Sequence, residues 1–150
     1  MAREILFRAK RIVNGSWVEG HLLKSFTGIC FIAKSFDNIL NVLEAYEVDK
    51  DTICQYTGLT DKNGNKIWEN DVLRDTDDEI IMVVRWDDEE LRFVLDDYGY
   101  NGCFMEYGWD ELAGEFEVVD TYGFDDFCSP INKVCEVIGN IFDNRELFDR

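Results

Sequence analysis

Carboxylates, five thiols and one imidazole are the groups in this chain with the chemistry to act, and their spacing limits what each can do. Asp61-Lys62-Asn63-Gly64-Asn65 has the Asp-x-Asn-x-Asn order that opens a calcium loop. Such a loop needs glycine at its sixth position, for a sharp bend, and a bidentate glutamate at its twelfth, to close the coordination sphere. Lys66 and Val72 occupy those places, so calcium fails. Asp75-Thr76-Asp77-Asp78-Glu79 fails likewise, with Ile80 in the glycine slot and no distal glutamate in register. Zinc asks for closely paired thiolates or imidazoles. Cys30, Cys54, Cys103, Cys128 and Cys135 contain no Cys-x-x-Cys, and His21 is the single histidine. Their odd number reads as buried free thiols, since cysteine packs as a small hydrophobe; a Cys128–Cys135 disulfide is the alternative.

Nucleophilic catalysis needs a base beside the nucleophile, usually histidine. His21 follows Gly20 in a strand-like segment with no Ser or Cys motif nearby, and reads as a partly exposed strand residue. No Gly-rich phosphate loop occurs. Many carboxylates are present, but nothing singles out a pair for glycoside hydrolysis. Neither a catalytic residue, a metal nor a cofactor is expected, and the chain reads as a non-enzyme.

The net charge of −17 is unevenly placed. Residues 1–74 carry ten Lys/Arg and ten Asp/Glu, whereas residues 75–126 carry two against eighteen. An acid surface of this density repels nucleic acid and anionic membrane and is open to basic proteins, although solubility alone also accounts for it. The longest apolar runs, such as Ile80–Val84, have five members, against roughly 20 for a membrane span. Met1-Ala2-Arg3-Glu4 leads into an alternating pattern with no signal-peptide core, so a cytoplasmic protein is expected. With one proline, Pro130, and no Ser- or Gly-rich linker, residues 1–150 read as one domain.

The elements that must position these groups are short alternating segments separated by turn pairs, the pattern of antiparallel strands. Ile5–Ile12 and Trp17–Leu22 flank Asn14-Gly15, which predicts a type I′ hairpin with two positive φ angles. Gly28–Ala33 is a second apolar run. Phe36, Ile39, Leu40 and Leu43 fall at helical spacing and predict a short helix over 37–45, with a strand ending at Val48 as the alternative. Asn63-Gly64 marks a turn after Gln55–Leu59, and Asn70 is a candidate for left-handed backbone before Val72-Leu73. Ile80–Trp86 and Leu91–Leu95 flank the acidic tip Asp87-Asp88-Glu89-Glu90. Glu115–Asp120 and Val134–Phe142 read as further strands, and Asn144–Phe148 as a helical turn capped by Asn144. Together these predict a mainly β fold with minor α, a small barrel-like antiparallel sheet with hairpin extensions and one or two short helices.

Gln55-Tyr56-Thr57-Gly58-Leu59-Thr60-Asp61-Lys62-Asn63-Gly64, followed by Ile67-Trp68-Glu69-Asn70-Asp71-Val72-Leu73, resembles the signature of the YopX-like proteins of bacteriophages and prophages. Glu136-Val137-Ile138-Gly139-Asn140-Ile141-Phe142-Asp143-Asn144, then Glu146-Leu147, is similar to that family's C-terminal motif. Arg3–Arg8 and Gly15-x-Trp17-Val18-x-Gly20 fit its N-terminus. Two positions depart from the pattern: Asn70 stands where the family usually has Gly, and Arg145 where it often has Pro. The resemblance implies an SH3-like barrel, phage or prophage origin and oligomerisation, with no assigned activity. Its motif residues are of types that fix backbone bends, so they report a fold more than a reactive site.

The functional expectation is therefore binding of a host or phage protein. An acidic segment over 96–127 is rich in aromatics (Tyr98, Tyr100, Phe104, Tyr107, Trp109, Phe116, Tyr122, Phe124 and Phe127), and aromatics with few lysines suit interfaces. Self-association is expected too, with the basic start (Arg3, Arg8, Lys10, Arg11) set against the acid half of a neighbour. The candidate acidic interaction surface comprises Asp87, Asp88, Glu89, Glu90, Asp96 and Asp97, read as mostly turn residues; in its sharpest form it mimics DNA phosphates. Nucleic-acid binding has one candidate neighbourhood, Lys62, Lys66 and Arg74 near Tyr56 and Trp68, opposed by the acid field. The bland alternative makes both rings core residues.

Overall fold

The computed structural model describes residues 4–38, 41–77, 79–100, 120–123 and 131–144. The chain is mainly β and forms two compact units, Met1–Gly58 and Leu59–Arg150. The first is electrically neutral, with seven Lys/Arg and seven Asp/Glu; the second carries the entire −17.

In the first unit the strands are β1 (Phe7–Lys10), β2 (Trp17–Lys24), β3 (Cys30–Asn38), β4 (Asn41–Val48) and the start of β5 (Cys54–Thr60), with a 3-10 turn at Lys50–Thr52. They pair antiparallel in the order β4-β3-β2-β1-β5; β6 (Lys66–Trp68) follows β5 in the chain. Alternation sets the core: Ala9, Val18, Cys30, Ile32 and Val48 are buried together, while Glu19 and Glu47 between them are exposed. Gly20 allows β2 and β3 their close approach, since a Cβ there would overlap the Ala33 carbonyl.

Two expectations need correction in this unit. The β1–β2 hairpin closes through the four-residue loop Ile12–Gly15, not a two-residue type I′ turn. Only Gly15 has positive φ (+69°), because the Asn14 side chain instead accepts the Ser16 amide at 3.0 Å and holds a different bend. Within 37–45, residues 37–38 and 41–45 are strand, not helix, and 39–40 lie outside the described residues: β3 and β4 pair from Cys30↔Val48 to Asn38↔Asn41. A nine-residue helix is marginal alone, whereas pairing with β3 satisfies the backbone and buries Val48 beside the exposed Glu47.

In the second unit β7 (Asp71–Asp75), β8 (Ile80–Asp87), β9 (Arg92–Tyr100), β10 (Asp120–Gly123) and β11 (Cys135–Asn140) form an antiparallel sheet in the order β10-β9-β8-β7-β11. The helical turn α1 (Ile131–Val134) leads into β11. Leu73, Met82, Val84, Leu95 and Cys135 project from one face of this sheet and pack with Ile67, Ile131 and Val134. The acidic hairpin is as expected, with β8 and β9 paired down to Asp87↔Arg92. Of the expected strand Glu115–Asp120 only Asp120 is described, in β10. The helical turn after Asn144 and the aromatics Phe104, Tyr107, Trp109, Phe116, Phe124 and Phe127 lie outside the described residues. Among the described residues no helix is long and apolar enough to cross a membrane.

Candidate functional site

The calcium-like stretch grips its own chain. Asp61 closes β5, donating its amide to the Asn65 carbonyl at 2.8 Å, and Gly64 donates to the Asp61 carbonyl at 3.1 Å. The three residues between, with Gly64 at φ +82°, are a turn followed by a left-handed residue, the form three-residue hairpin loops favour. The Asp61 side chain is 2% exposed and points inward. One carboxylate oxygen accepts the Asn63 and Asn65 amides at 2.9 and 2.8 Å. The other accepts the Asn65 side-chain amide at 3.3 Å and the Val137 amide of β11 at 2.9 Å. Burial pushes the carboxyl upward, but the donors from Val137, Asn65 and Asn63 outweigh it and hold Asp61 below its ordinary value. It is thus an ionised structural acceptor with its lone pairs already used.

The next bend is built the same way. Asp71, 1% exposed, accepts the Trp68 amide at 2.8 Å. Asn70 lies in the left-handed region at φ +69°, as expected where glycine is commoner. Its amide donates to the Val84 carbonyl at 2.8 Å, and its carbonyl accepts the Ile141 amide at 3.1 Å. At the far end of the chain, Asn140 accepts the Phe142 and Asp143 amides, both at 3.0 Å, on its side-chain oxygen. Its own amide donates to the Asn144 side chain at 3.0 Å. Gly139 has no room for a Cβ beside that Asn144 side chain.

The residues singled out in the sequence are therefore brought together in part. Asp61, which also holds Asn63 and Gly64 in its turn, meets the segment containing Glu136, Ile138, Gly139 and Asn140 through Val137, and Asn70 reaches it through Ile141. Gln55, Tyr56, Thr57, Gly58 and Leu59 are strand residues of β5, where Gly58 has φ +90°. Glu136 is half-buried and pairs with Arg74, which donates from Nε at 3.0 Å and also from Nη2, and with Lys62 at 3.9 Å. Two cations of the basic neighbourhood are engaged in this way, and Tyr56 and Trp68 are core residues, 7% and 3% exposed. They offer no ring face for stacking a base.

The acidic candidates divide. Asp88, Glu89 and Glu90 are exposed at the β8–β9 tip. Asp87 folds that tip by accepting the Glu89 and Glu90 amides at 2.8 and 3.1 Å, and those bonds from Glu90 and Glu89 lower its pKa. Asp96 and Asp97 are corrected: they are buried within β9, 6% and 4% exposed, and not turn residues on a surface. Asp96 receives Arg85 at 2.6 and 3.2 Å and the Thr121 hydroxyl at 2.9 Å. The pair reads as a turn in sequence because consecutive acids disfavour strand interiors; at Asp96 the cross-strand partners Arg85 and Thr121 override that.

His21 is exposed on β2, as expected. Cys30, Cys54 and Cys135 are buried free thiols, so Cys135 forms no disulfide; Cys103 and Cys128 lie outside the described residues. Burial, reinforced by Asp75 and Asp77, pushes the Cys135 thiol up to about 12, which keeps it protonated and unreactive. Among the described residues no group of three or more His, Cys, Asp or Glu is placed to hold a metal ion.

Two motifs far apart in sequence thus form one contact, and the whole pattern matches a known family. The family model described as YopX protein matches residues 6–149. The chain belongs to the YopX family. No curated protein matches it at a significant level. In this YopX-family chain the motif positions hold bends and join β11 to the Asp61 turn. The role of Val137, whose apolar side chain gives no sign of it, was not legible; what marked the partner was the Asp-x-Asn-x-Asn order, a carboxylate set to accept successive amides.

Proposed function

We propose that the chain is a non-enzymatic accessory protein of phage or prophage origin that acts in the host cytoplasm by binding other proteins, copies of itself included. The observation that carries this reading is Phe26. It is fully exposed (102%) at the β2–β3 end, between Leu23 and Ile29, which are also exposed. The turn beneath it is fixed: Ser25 donates to the Ile29 carbonyl at 2.9 Å, Gly28 donates to the Ser25 carbonyl at 3.0 Å, and Ile29 donates to the Ser25 hydroxyl at 3.1 Å. A preorganised aromatic anchor loses little entropy on docking, and burying it contributes about 2 kcal/mol. The motif carboxylates and amides, by contrast, are engaged with backbone. Affinity capture from host lysate tests the reading: Phe26→Ser should release the partner that wild type retains, and turnover of a small molecule by the purified protein would overturn it.

The finer fold we propose is an SH3-like barrel. It is supported in the first unit by the Arg11↔Val48 bridge, the Ile12 amide on the Glu47 carbonyl at 3.1 Å and the Asp49 amide on the Lys10 carbonyl at 2.8 Å. These join the end of β4 back to β1. For self-association, the neutral first unit is the favourable face, since two second units repel. Arg8 and Lys10 lie over the Trp17 ring at 4.6 and 5.5 Å, and Arg11 over Tyr46 at 4.1 Å. Light scattering at physiological salt should give a mass above that of a monomer.

A second reading, an acidic mimic of DNA, is favoured by the confinement of the −17 to residues 59–150 and by the exposed Asp88, Glu89 and Glu90. It is weakened by the burial of Asp96 and Asp97. Reversing Asp88 and Glu89 to lysine spares the Asp87 cap and the Glu90–Arg92 pair at 2.5 Å. It should abolish salt-sensitive binding to host DNA-binding proteins; no such binding by wild type at low salt would reject this reading.

A further inference from the structure

Among the described residues β11 is an edge strand of its sheet, paired on one side with β7. Its sequence, Cys135-Glu136-Val137-Ile138-Gly139-Asn140, is apolar and β-prone, with one charge and no lysine or proline. An edge of that composition invites another strand. Cys135 and Val137 turn their backbone groups away from β7 at its start, and two of those groups, the Cys135 carbonyl and the Val137 amide, are taken by the β5–β6 turn. Lys62 donates its amide to the Cys135 carbonyl at 2.9 Å, and the Asp61 carboxylate accepts the Val137 amide at 2.9 Å. Beyond Val137 the pairing with β7 shifts register at a bulge before Gly139, and the Ile141 amide is held by the Asn70 carbonyl. The stretch that the turn covers is thus the one regular piece of the edge.

We propose that Asp61 and Lys62 are an edge guard: a side-chain carboxylate and one backbone amide occupy the outer edge of β11 and keep it from pairing with β11 of a second copy. The occupant of the bared edge is a second copy, because an antiparallel pair centred on Glu136 lets Cys135 and Val137 of each strand serve the other. This guard is independent of the Phe26 anchor, which lies in the other unit.

Two substitutions in the turn remove the guard and leave every residue of β11 in place; the second also removes the 3.9 Å pair of Lys62 with Glu136. Asp61→Asn keeps an oxygen for the Asn63 and Asn65 amides but turns an amide donor toward Val137. Lys62→Pro removes the Lys62 N–H at the first central position of the turn, where proline is favoured. The double variant should keep the wild-type far-ultraviolet circular dichroism. In light scattering its mass should rise about twofold relative to wild type as concentration increases. Residue-resolved hydrogen exchange gives the specific signature: the Val137 amide exchanges fast in the dilute variant and is protected again in the associated species. A folded variant with wild-type mass at every concentration, or one that associates with Val137 still exchanging fast, overturns the guard. If the double variant unfolds, each single substitution is judged by the same criteria; if both of those unfold, the contact is a folding contact and the proposal is rejected. Phe26→Ser, which abolishes neither bond, should leave the association of the guard variant intact.

Discussion

The Asp61 carboxylate accepts the Val137 amide at 2.9 Å across 76 positions of chain. This one bond ties the β5–β6 turn to β11, and three more donors from Asn63 and Asn65 converge on the same side chain. Removing a buried charged acceptor leaves those donors unsatisfied. Asp61→Ala should therefore lower unfolding free energy by about 3 kcal/mol and Asp61→Asn by about 2 kcal/mol, since the amide keeps the turn. Urea denaturation measures both; equal, small effects would mean that water replaces the carboxylate at no loss.

The same carboxylate predicts how acid acts. Its folded pKa is lowered from the ordinary aspartate value. Between the folded and unfolded values the unfolded chain binds more protons, so the contribution is complete above the unfolded pKa, about 3.9. It is lost as pH falls through the folded pKa. Wild type should lose more stability than Asp61→Asn between pH 5 and the acid limit, so that the two urea midpoints converge. Parallel curves would show that other carboxylates carry the acid sensitivity.

Asn70 offers a cleaner test of backbone strain. At φ +69° a residue with a Cβ costs about 1 kcal/mol relative to glycine, and asparagine recovers part of it. Asn70→Gly should leave stability within about 0.5 kcal/mol of wild type, whereas Asn70→Ala should lose about 1 kcal/mol. Thermal or urea melts of the pair decide it. If alanine is tolerated as well as glycine, the amide side chain and not the dihedral fixes this bend.

Turn chemistry and strand patterning explain why much of this fold was legible. Asn63-Gly64, Asn70 and the acidic tip at Asp87–Glu90 announce bends because their local conformations need those residue types. The helical spacing of Phe36, Ile39, Leu40 and Leu43 misled because β3 supplies a partner that no local window contains. Asp96-Asp97 misled for a related reason: Arg85 and Thr121, which make a buried carboxylate tolerable at Asp96, lie on neighbouring strands. Asp61 was visible as a motif residue, but its reach to Val137 is tertiary, and the resemblance at both chain segments was the one sign that they belong together.

Gly20 and Gly139 separate two kinds of crowding. A Cβ at Gly20 would run into the Ala33 carbonyl, a backbone atom of the paired strand β3. Relief would mean parting β2 from β3, whose pairs His21↔Ala33 and Leu22↔Ile32 adjoin the core at Ile32. At Gly139 the obstacle is the side chain of Asn144, which can rotate away at the loss of its bond to the Asn140 amide. Gly20→Ala should therefore cost about 3 kcal/mol and Gly139→Ala about 1 kcal/mol. Adding Asn144→Ala to Gly139→Ala should cost nothing further, because the first change has already displaced that side chain. Urea midpoints of these variants and of Asn144→Ala alone check the order. A Gly139→Ala loss as large as that at Gly20, with full additivity to Asn144→Ala, would show that the Asn144 side chain is not what Gly139 makes room for.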